Sequence, residues 1–337
     1  MKRTLLTISA IALLCVPVLL RAATLPQAAH RTTHSTKPPA ANPAVKNVFW
    51  QPNELQQGSV AFFTIELEHA PTHVTAIWIG KTVMFFKSAD PRVWTALAGA
   101  DLETVPGTYD LVVTATLPGG HIAHSIKKID ITAATFQTGS IDVPENFVEP
   151  DAASKKQIAA DDLAKAHAYA HLGPTPQWSG NFKTPVVGKP TDTFGESRIL
   201  NEEKSSTHRG TDFPVNEGSL VEASNSGTVV LAKDLFYEGG CIIIDHGDKF
   251  FTIYMHLSKI EVKVGDKVEK GAHLGLSGKT GRVTGPHLHM GVRWNGAYLN
   301  PVKLLALTLP PIPANEPART AAKTATKKPA TKPAHRH

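Results

Sequence analysis

The sequence predicts a mainly β chain in which two β domains are joined by one helix. Residues 47–134 and 176–306 contain short runs rich in β-branched and aromatic residues, and glycine and proline turn signals separate these runs. Residues 150–172 differ, because alanine and other good helix formers dominate there. The length of 337 residues is enough for two such domains with linkers.

The first 23 residues have the pattern of a secretory signal peptide. Two basic residues precede an apolar run over residues 5–20, and the small residues Ala22 and Ala23 follow it. The apolar run is shorter than the roughly 20 residues that a membrane-spanning helix needs, which favours cleavage over retention as an anchor. We therefore expect export to the periplasm, the cell envelope or the exterior, with no transmembrane span in the mature chain.

Two segments lack hydrophobic periodicity and are predicted to be disordered. Residues 24–46 form a linker rich in alanine, threonine and proline, and residues 308–337 form a basic tail. Residues 311–337 carry six lysine and arginine residues against one glutamate, which accounts for most of the formal charge of +6. The folded part is thus nearly neutral, so a nucleic-acid-binding face is not indicated. The tail would allow binding to anionic envelope polymers, unless it is a solvated extension without function.

Residues 47–134 have the strand spacing of a small β-sandwich. The run "VPGTYDLVV" at residues 105–113 resembles the turn and tyrosine that begin a late strand of immunoglobulin-like domains, although the Cys–Trp–Cys hallmark is missing. The histidines of this segment lack partners at metal-ligand spacing and are interpreted as exposed or edge-strand residues. We therefore expect an N-terminal immunoglobulin-like β-sandwich.

The connecting helix at residues 150–172 contains His167 and His171, four residues apart. This spacing is compatible with a metal, but no third ligand is evident nearby, so the two histidines are interpreted as part of a solvated face.

The two cysteines, Cys15 and Cys241, indicate that the mature chain is held together by its core and not by disulfides. If the signal peptide with Cys15 is removed, Cys241 alone is left; no intrachain disulfide is then possible, and Cys241 is predicted to be buried in an apolar run.

The segments "HRGTD" and "HLH" contain side chains of the types that commonly bind zinc in proteins. His208 and Asp212 offer an imidazole and a carboxylate, and His287 and His289 point to the same side of a strand, because side chains alternate. Two histidines and one aspartate can hold the metal and leave one position for water, as in catalytic zinc sites. One histidine then remains free to move protons, and His256, at the end of a strand, is a further candidate.

These segments resemble the lysostaphin/LytM-like zinc endopeptidases of family M23. The resemblance runs through "FGESRI", "HRGTDF", "IIIDHGDKFFTIYMHLS", "VKVGDKVEKG" and "LSGKTGRVTGPHLHMGV", and it covers roughly residues 176–306. It implies a C-terminal peptidase domain with an antiparallel sheet, a groove with zinc (Zn2+) at its floor, and peptidoglycan peptides as the substrate.

The resemblance also implies a role for each site residue. By motif, His208, Asp212 and His289 are the zinc ligands, His287 is the general base, and His256 is the second catalytic histidine. The leading hypothesis is an exported zinc metalloendopeptidase. The alternatives are a non-catalytic wall-binding or activator module for other cell-wall hydrolases, and an adhesion protein that acts through its sandwich.

Several neighbouring residues receive weaker assignments. Met290 stands where many relatives have an aromatic residue, which bears on the shape of the groove and not on its chemistry. Glu196 and Arg198 would contact substrate or form a surface salt bridge. His246 is interpreted as a structural residue of the hairpin turn "DHGD", and His273 as part of a surface loop.

Overall fold

The computed structural model describes residues 44–173, 176–202 and 204–312. The predicted signal peptide, most of the linker and most of the basic tail lie outside the described residues. The described part is mainly β, as the sequence predicts, and it contains two α-helices. Within these ranges, no helix is both long enough and apolar enough to cross a membrane.

The N-terminal part consists of two sheets that share a core. Its strands are β1 Val45–Gln51, β2 Leu55–Gln56, β3 Val60–Leu67, β4 His73–Trp78, β5 Lys81–Met84, β6 Phe86–Lys87, β7 Val93–Gly99, β8 Gly107–Thr116 and β9 Ile122–Thr132. One sheet has the order β1-β3-β7-β6 and the other β2-β9-β8-β4-β5. The fully buried rings of Phe63 and Trp78 meet edge to face across the two sheets, with centroids 5.5 Å apart. The first strand begins at Val45, so the predicted linker ends two residues too late.

Tyr109 occupies the strand entry that the sequence marks in "VPGTYD". Its hydroxyl donates a hydrogen bond to the carbonyl oxygen of Val105, at 2.6 Å. Such a contact, from a tyrosine back to the turn before its own strand, fixes the path of the chain into β8. The immunoglobulin-like class of the sandwich stays a prediction.

The connection between the two β parts includes strand β10 Thr138–Ile141 and helix α1 Ala152–Tyr169. The Asp151 carboxylate caps the helix by accepting a hydrogen bond from the Ser154 N–H, at 2.7 Å. The helix packs against the C-terminal sheet, where the rings of Tyr169 and Phe251 lie 5.3 Å apart. The short 3₁₀ helix Glu145–Phe147 lies between β10 and α1, and a second one, Pro118–Gly120, joins β8 to β9 in the N-terminal part.

His171 is exposed, as predicted, but its placement on the helix is wrong, because α1 ends at Tyr169. His171 therefore lies beyond the helix, and its Nδ1 is 2.7 Å from Oδ2 of Asp245, a fully buried carboxylate. The pairing with His167 on one helical face does not form. Asp245 instead holds the end of α1 against the sheet, and it also accepts the Gly173 N–H at 2.9 Å.

The C-terminal part is built on a nine-stranded antiparallel sheet. Its elements, with the two strands that flank it, are β11 Ser197–Leu200, β12 Lys204–Thr207, β13 Gly210–Phe213, β14 Leu220–Glu222, β15 Gly227–Leu235, β16 Gly239–Asp245, β17 Phe250–Ile260, β18 Lys267–Val268, β19 His273–Ser277, β20 Leu288–Trp294, β21 Ala297–Leu299 and α2 Pro301–Ala306. The main path of the sheet is β13-β20-β17-β16-β15-β18. Strands β10, β11 and β12 form a separate small sheet beside it.

The two β parts share one hydrophobic core. Trp178 meets Phe62 of the sandwich edge to face, with centroids 6.3 Å apart. At Gly99 of the sandwich, a Cβ atom would lie 2.5 Å from a methyl group of Leu299, so only glycine allows this approach. The described residues belong to one compact unit, which the sequence did not predict.

The start of the predicted tail is also ordered. The N–H of Leu309 donates to Oδ1 of Asn181 at 2.7 Å, and the N–H of Ile312 donates to Oγ of Ser179 at 3.0 Å. Leu309 is buried. Residues 308–312 therefore belong to the folded part, because an apolar side chain and two paired backbone groups hold them there.

Two further predictions concern single residues of the sheet. Cys241 is buried and has no disulfide partner among the described residues, as predicted. His273 is exposed, but it begins strand β19 and contacts the Glu261 carboxylate, so the prediction of a loop is wrong.

His246 is a buried structural residue just after β16. Its Nδ1 donates to the carbonyl oxygen of Ser226 at 2.7 Å, and its Nε2 lies 2.8 Å from the Thr252 hydroxyl. The side chain is fully buried, and this burial lowers its pKa to about 4. The sequence predicted a structural role, and the structure adds that the role is in the core.

Because His246 is buried in its neutral form, we expect the stability of the fold to decrease in acid. An unfolded chain binds a proton at His246 near pH 6.5, whereas the folded chain does so only near pH 4. The contribution of neutral His246 to the free energy of unfolding is therefore fully present above pH 6.5 and is lost as the pH falls toward 4. About 2 kcal/mol of this free energy is lost between pH 7 and pH 5. We expect His246→Gln to flatten the pH dependence of the urea-unfolding free energy by that amount. The matched control is the exposed His73→Gln, and a His246→Gln protein with the wild-type slope would contradict the assignment.

Candidate metal centre

The strand register of the sheet brings the predicted site residues together. Strands β13 and β20 pair antiparallel with Asp212 opposite His289, and β17 pairs with β20 so that Met255 is also opposite His289. His287 lies just before β20, in an isolated bridge with Gly278. Because residues two apart share a face of a strand, His287 and His289 both point toward Asp212.

Three donor atoms converge at the centre of this arrangement. Nε2 of His208 is 3.1 Å from Oδ1 of Asp212 and 2.9 Å from Nδ1 of His289. Nδ1 of His289 is 2.9 Å from the same Oδ1. Among the described residues, this is the one group of three whose donor atoms lie close enough to share a metal ion.

The two remaining candidate histidines stand next to this group. Nε2 of His287 is 3.6 Å from Oδ1 of Asp212. The ring of His256 lies 4.8 Å from the ring of His287 and 5.9 Å from that of His289, measured between centroids. All five residues singled out in the sequence therefore meet at one place.

Backbone carbonyl groups determine the tautomer of three of these histidines. Nδ1 of His208 faces the oxygen of Thr193 at 2.9 Å, Nδ1 of His256 faces that of Thr280 at 2.9 Å, and Nδ1 of His287 faces that of Gly285 at 2.8 Å. A carbonyl oxygen can only accept, so each Nδ1 carries the hydrogen. In the neutral ring, each Nε2 then presents a lone pair.

His256 adopts a backbone conformation that is rare for a residue with a side chain. Its φ is +64°, in the left-handed region, although it lies within β17. Its N–H donates to the carbonyl oxygen of Glu238 at 2.8 Å. Such a conformation costs about 1–3 kcal/mol and tends to occur where function requires it. The strand is irregular here, and this irregularity turns the imidazole toward His287.

The electrostatics of the cluster keep it in the protonation state that binds a cation. Burial, together with the neighbouring rings of His289 and His287, lowers the pKa of His256 to about 3. Burial also lowers the pKa of His289 to about 4. Burial alone would raise the pKa of the Asp212 carboxyl, but the adjoining imidazoles of His208 and His289 outweigh it and hold the pKa well below its usual range. Neutral imidazoles beside a carboxylate are the forms that bind a metal.

Arg198 holds the second oxygen of Asp212. Its Nη2 donates to Oδ2 of Asp212 at 3.1 Å, and its Nε donates to Oε2 of Glu196 at 2.6 Å. These side chains are only 15–20 % exposed, so the ion pair is not the surface salt bridge considered for Glu196 and Arg198. Because Arg198 occupies Oδ2, the carboxylate presents Oδ1 to the cluster. The sequence marked Arg198 but did not indicate this partner.

Two small details explain the local sequence. At Gly210, in "HRGTD", a Cβ atom would lie 2.3 Å from Nε2 of His289, so the strand passes too close to the ring for any other residue.

Met290 is fully buried among core residues, because it alternates with His289 and points to the other side of the sheet. The expectation that Met290 shapes the groove is therefore wrong.

The sheet and its three converging donor atoms define a candidate metal centre, and comparison with known proteins identifies the domain that contains it. Residues 206–301 match the model of Peptidase family M23. The C-terminal part of the chain therefore contains a Peptidase family M23 domain.

The similar proteins support the same conclusion. The peptidoglycan DD-endopeptidase ShyA of Vibrio cholerae is 44% identical over 112 residues, which are 33% of this chain and 26% of that protein. The glycyl-glycine endopeptidase ALE-1 of Staphylococcus capitis is 45% identical over 84 residues, 24% of this chain and 23% of that protein. The chain thus spans about a quarter of the length of these relatives.

A solved structure extends the similarity beyond the C-terminal sheet. A putative M23 peptidase from Pseudomonas aeruginosa matches with a TM-score of 0.57 and 27% identity, covering 75% of this chain and 95% of that one. Three quarters of the chain is more than the C-terminal part alone contains. The structural match therefore extends into the part of the chain that precedes the C-terminal sheet.

Proposed function

We propose that this chain is an exported zinc metalloendopeptidase that hydrolyses the peptide cross-links of peptidoglycan. The convergence of one donor atom each from His208, Asp212 and His289 is the observation that carries the proposal. Family membership gives this geometry its chemical context, because the matched residues 206–301 contain all five site residues.

The donor set fits zinc. Ligands at about 2.0–2.1 Å in a tetrahedron are about 3.3 Å apart, and the three donor atoms are 2.9–3.1 Å apart. Two imidazoles and one carboxylate leave the fourth position for water, which separates a catalytic from a structural site. When bound there, zinc would lower the pKa of a water molecule and polarise the scissile carbonyl group.

His287 is assigned as the general base. Its Nδ1–H donates to Gly285, so the Nε2 lone pair faces the cluster and can accept a proton from the attacking water. The same nitrogen can then return the proton to the leaving amine, which balances the hydrolysis. This role requires no covalent bond to the protein.

His256 is assigned as the second catalytic histidine. It presents Nε2 from the side of the cluster where His287 lies, and its ring is fixed by Thr280. In this tautomer Nε2 can donate a hydrogen bond only after it has accepted a proton. Because burial disfavours that proton, His256 would stabilise charge on the substrate oxygen only while the developing negative charge holds the proton on Nε2.

The substrate class follows from the relatives, and two peptide types are candidates. ShyA is a DD-endopeptidase and ALE-1 a glycyl-glycine endopeptidase. The scissile bond of this protein would accordingly lie between D-alanine and a diamino acid, or within a glycine bridge. Both are peptide bonds of peptidoglycan, and the same base and metal would serve either.

A non-catalytic wall-binding or activator protein is the alternative function. Such a protein needs neither the metal ligands nor a base, whereas this chain has all five side chains in reach of one another. The placement in the periplasm or cell envelope, and the attachment of the basic tail to anionic polymers, remain parts of the same proposal.

The proposal predicts hydrolysis that depends on metal. We expect the purified protein to release dye from dye-labelled peptidoglycan sacculi, a chelator to abolish release, and added zinc to restore it. Restoration by zinc is the control for damage by the chelator. Release that persists in chelator would exclude a metallopeptidase, and no release by fully zinc-loaded protein would favour the activator.

A further inference from the structure

Arg282 lies on the loop that positions both catalytic histidines. In the loop of residues 278–287, the carbonyl group of Thr280 holds His256 and that of Gly285 holds His287. The backbone N–H of Arg282 donates to the carbonyl oxygen of Tyr237 at 2.9 Å, which anchors the loop between these two points. Arg282 is thus built into the wall of the site.

The side chain of Arg282 extends from this loop toward the strands that carry the metal ligands. Its guanidinium stacks on the ring of Tyr237, 4.9 Å from the centroid, and its Nη2 donates to Oγ of Ser206 at 3.2 Å. Ser206 pairs with Arg198 in the β11–β12 ladder, so their side chains leave the same face. Arg198 contacts Asp212 from that face, and Arg282 contacts Ser206 on the same face. Arg282 therefore lies beside the candidate metal centre.

The two arginines differ in their partners. Arg198 is paired with two carboxylates, whereas no carboxylate of the described residues pairs with Arg282. The structure gives the Arg282 guanidinium one hydrogen bond, and its other N–H donors remain for a ligand. Burial lowers the pKa of Arg282, which marks a cation taken partly out of water. A cation in this position attracts an anion strongly.

We propose that Arg282 binds a free carboxylate of the substrate next to the scissile bond, and that the enzyme therefore prefers acidic cross-link peptides over glycine bridges. The inference rests on the proposed function and specifies its substrate class. A diamino acid such as diaminopimelate carries a free carboxylate on the carbon that bears the scissile nitrogen. A glycine within a bridge carries none, because its carboxyl group forms the next peptide bond.

Two synthetic peptides test this preference. They are identical except that the carbon bearing the scissile nitrogen carries a carboxylate in one and a carboxamide in the other. We expect the zinc-loaded wild type to favour the acid by about 10–100-fold in kcat/KM, the range of a charge-assisted pair. Arg282→Gln should bring the ratio to about 1, mainly by slowing cleavage of the acid. Arg282→Lys should retain part of the preference.

The control variant is Lys279→Gln. Lys279 is a cation of the same loop, but its side chain is 63% exposed and lies 3.7 Å from the Glu217 carboxylate. This variant should keep the wild-type ratio. If Arg282→Gln slows both peptides equally, Arg282 only braces the loop and the proposal is overturned.

Dissociation constants for the same two peptides separate this proposal from the proposed function. If the wild type cleaves neither peptide, the endopeptidase proposal fails, and binding still decides the role of Arg282. Tighter binding of the acid that is lost in Arg282→Gln supports the carboxylate site. Equal binding of both peptides, or no binding of the acid, overturns it.

Discussion

His208→Ala and His289→Ala are each expected to lose bound zinc and peptidase activity together. Each substitution removes one of the three converging donor atoms, and the apparent binding free energy of structural zinc in zinc-finger peptides, taken as a guide, is about 10–16 kcal/mol. Losing a third of such an energy corresponds to a decrease in affinity of about 10²–10⁴-fold. Metal content after gel filtration, measured by mass spectrometry, should fall from one zinc per chain to almost none.

A histidine outside the cluster provides the control for this prediction. His167 is exposed on α1 and is not among the grouped donor residues. His167→Ala should retain both zinc and activity. Full zinc content in His208→Ala and His289→Ala would show that the donor atoms, although close together, do not bind the metal.

His287→Ala is expected to keep its zinc and to lose turnover by about 10²–10⁴-fold, the usual contribution of a general base. Its Nε2 is 3.6 Å from Oδ1 of Asp212, farther than the three donor atoms are from one another. Zinc content and kcat, measured on the same preparation, separate the two roles. Loss of zinc in this variant would make His287 a ligand instead of the base.

The role of His256 must be tested with a substitution that tolerates its unusual backbone conformation. Because its φ is +64°, alanine would add strain to the loss of the ring. Asparagine tolerates the left-handed region, so His256→Asn should fold, keep its zinc and lose turnover to a similar degree. Wild-type activity of His256→Asn would remove His256 from the catalytic machinery.

The sequence predicted the β architecture and the side chains that meet in the cluster, because both depend on local patterns. Alternation of apolar residues identifies strands, and the spacing in "HLH" predicts that its two histidines share one face of a strand. The failures concern residues whose partners are distant in sequence. His171 pairs with Asp245, 74 residues away, and Arg198 of the small sheet pairs with Asp212 of the nine-stranded sheet. Residues 308–312 pack against a segment about 130 residues earlier.

What the sequence determined by itself is therefore the set of chemical groups and the faces from which they project. The tertiary structure decided which atom of each group faces the centre: Nε2 of His208, Nδ1 of His289 and Oδ1 of Asp212. That choice depends on carbonyl groups of separate loops and on the Arg198 guanidinium, none of which has a sequence pattern of its own. It also depends on burial in a core shared with the sandwich, because a side chain is desolvated only when the whole chain has packed around it.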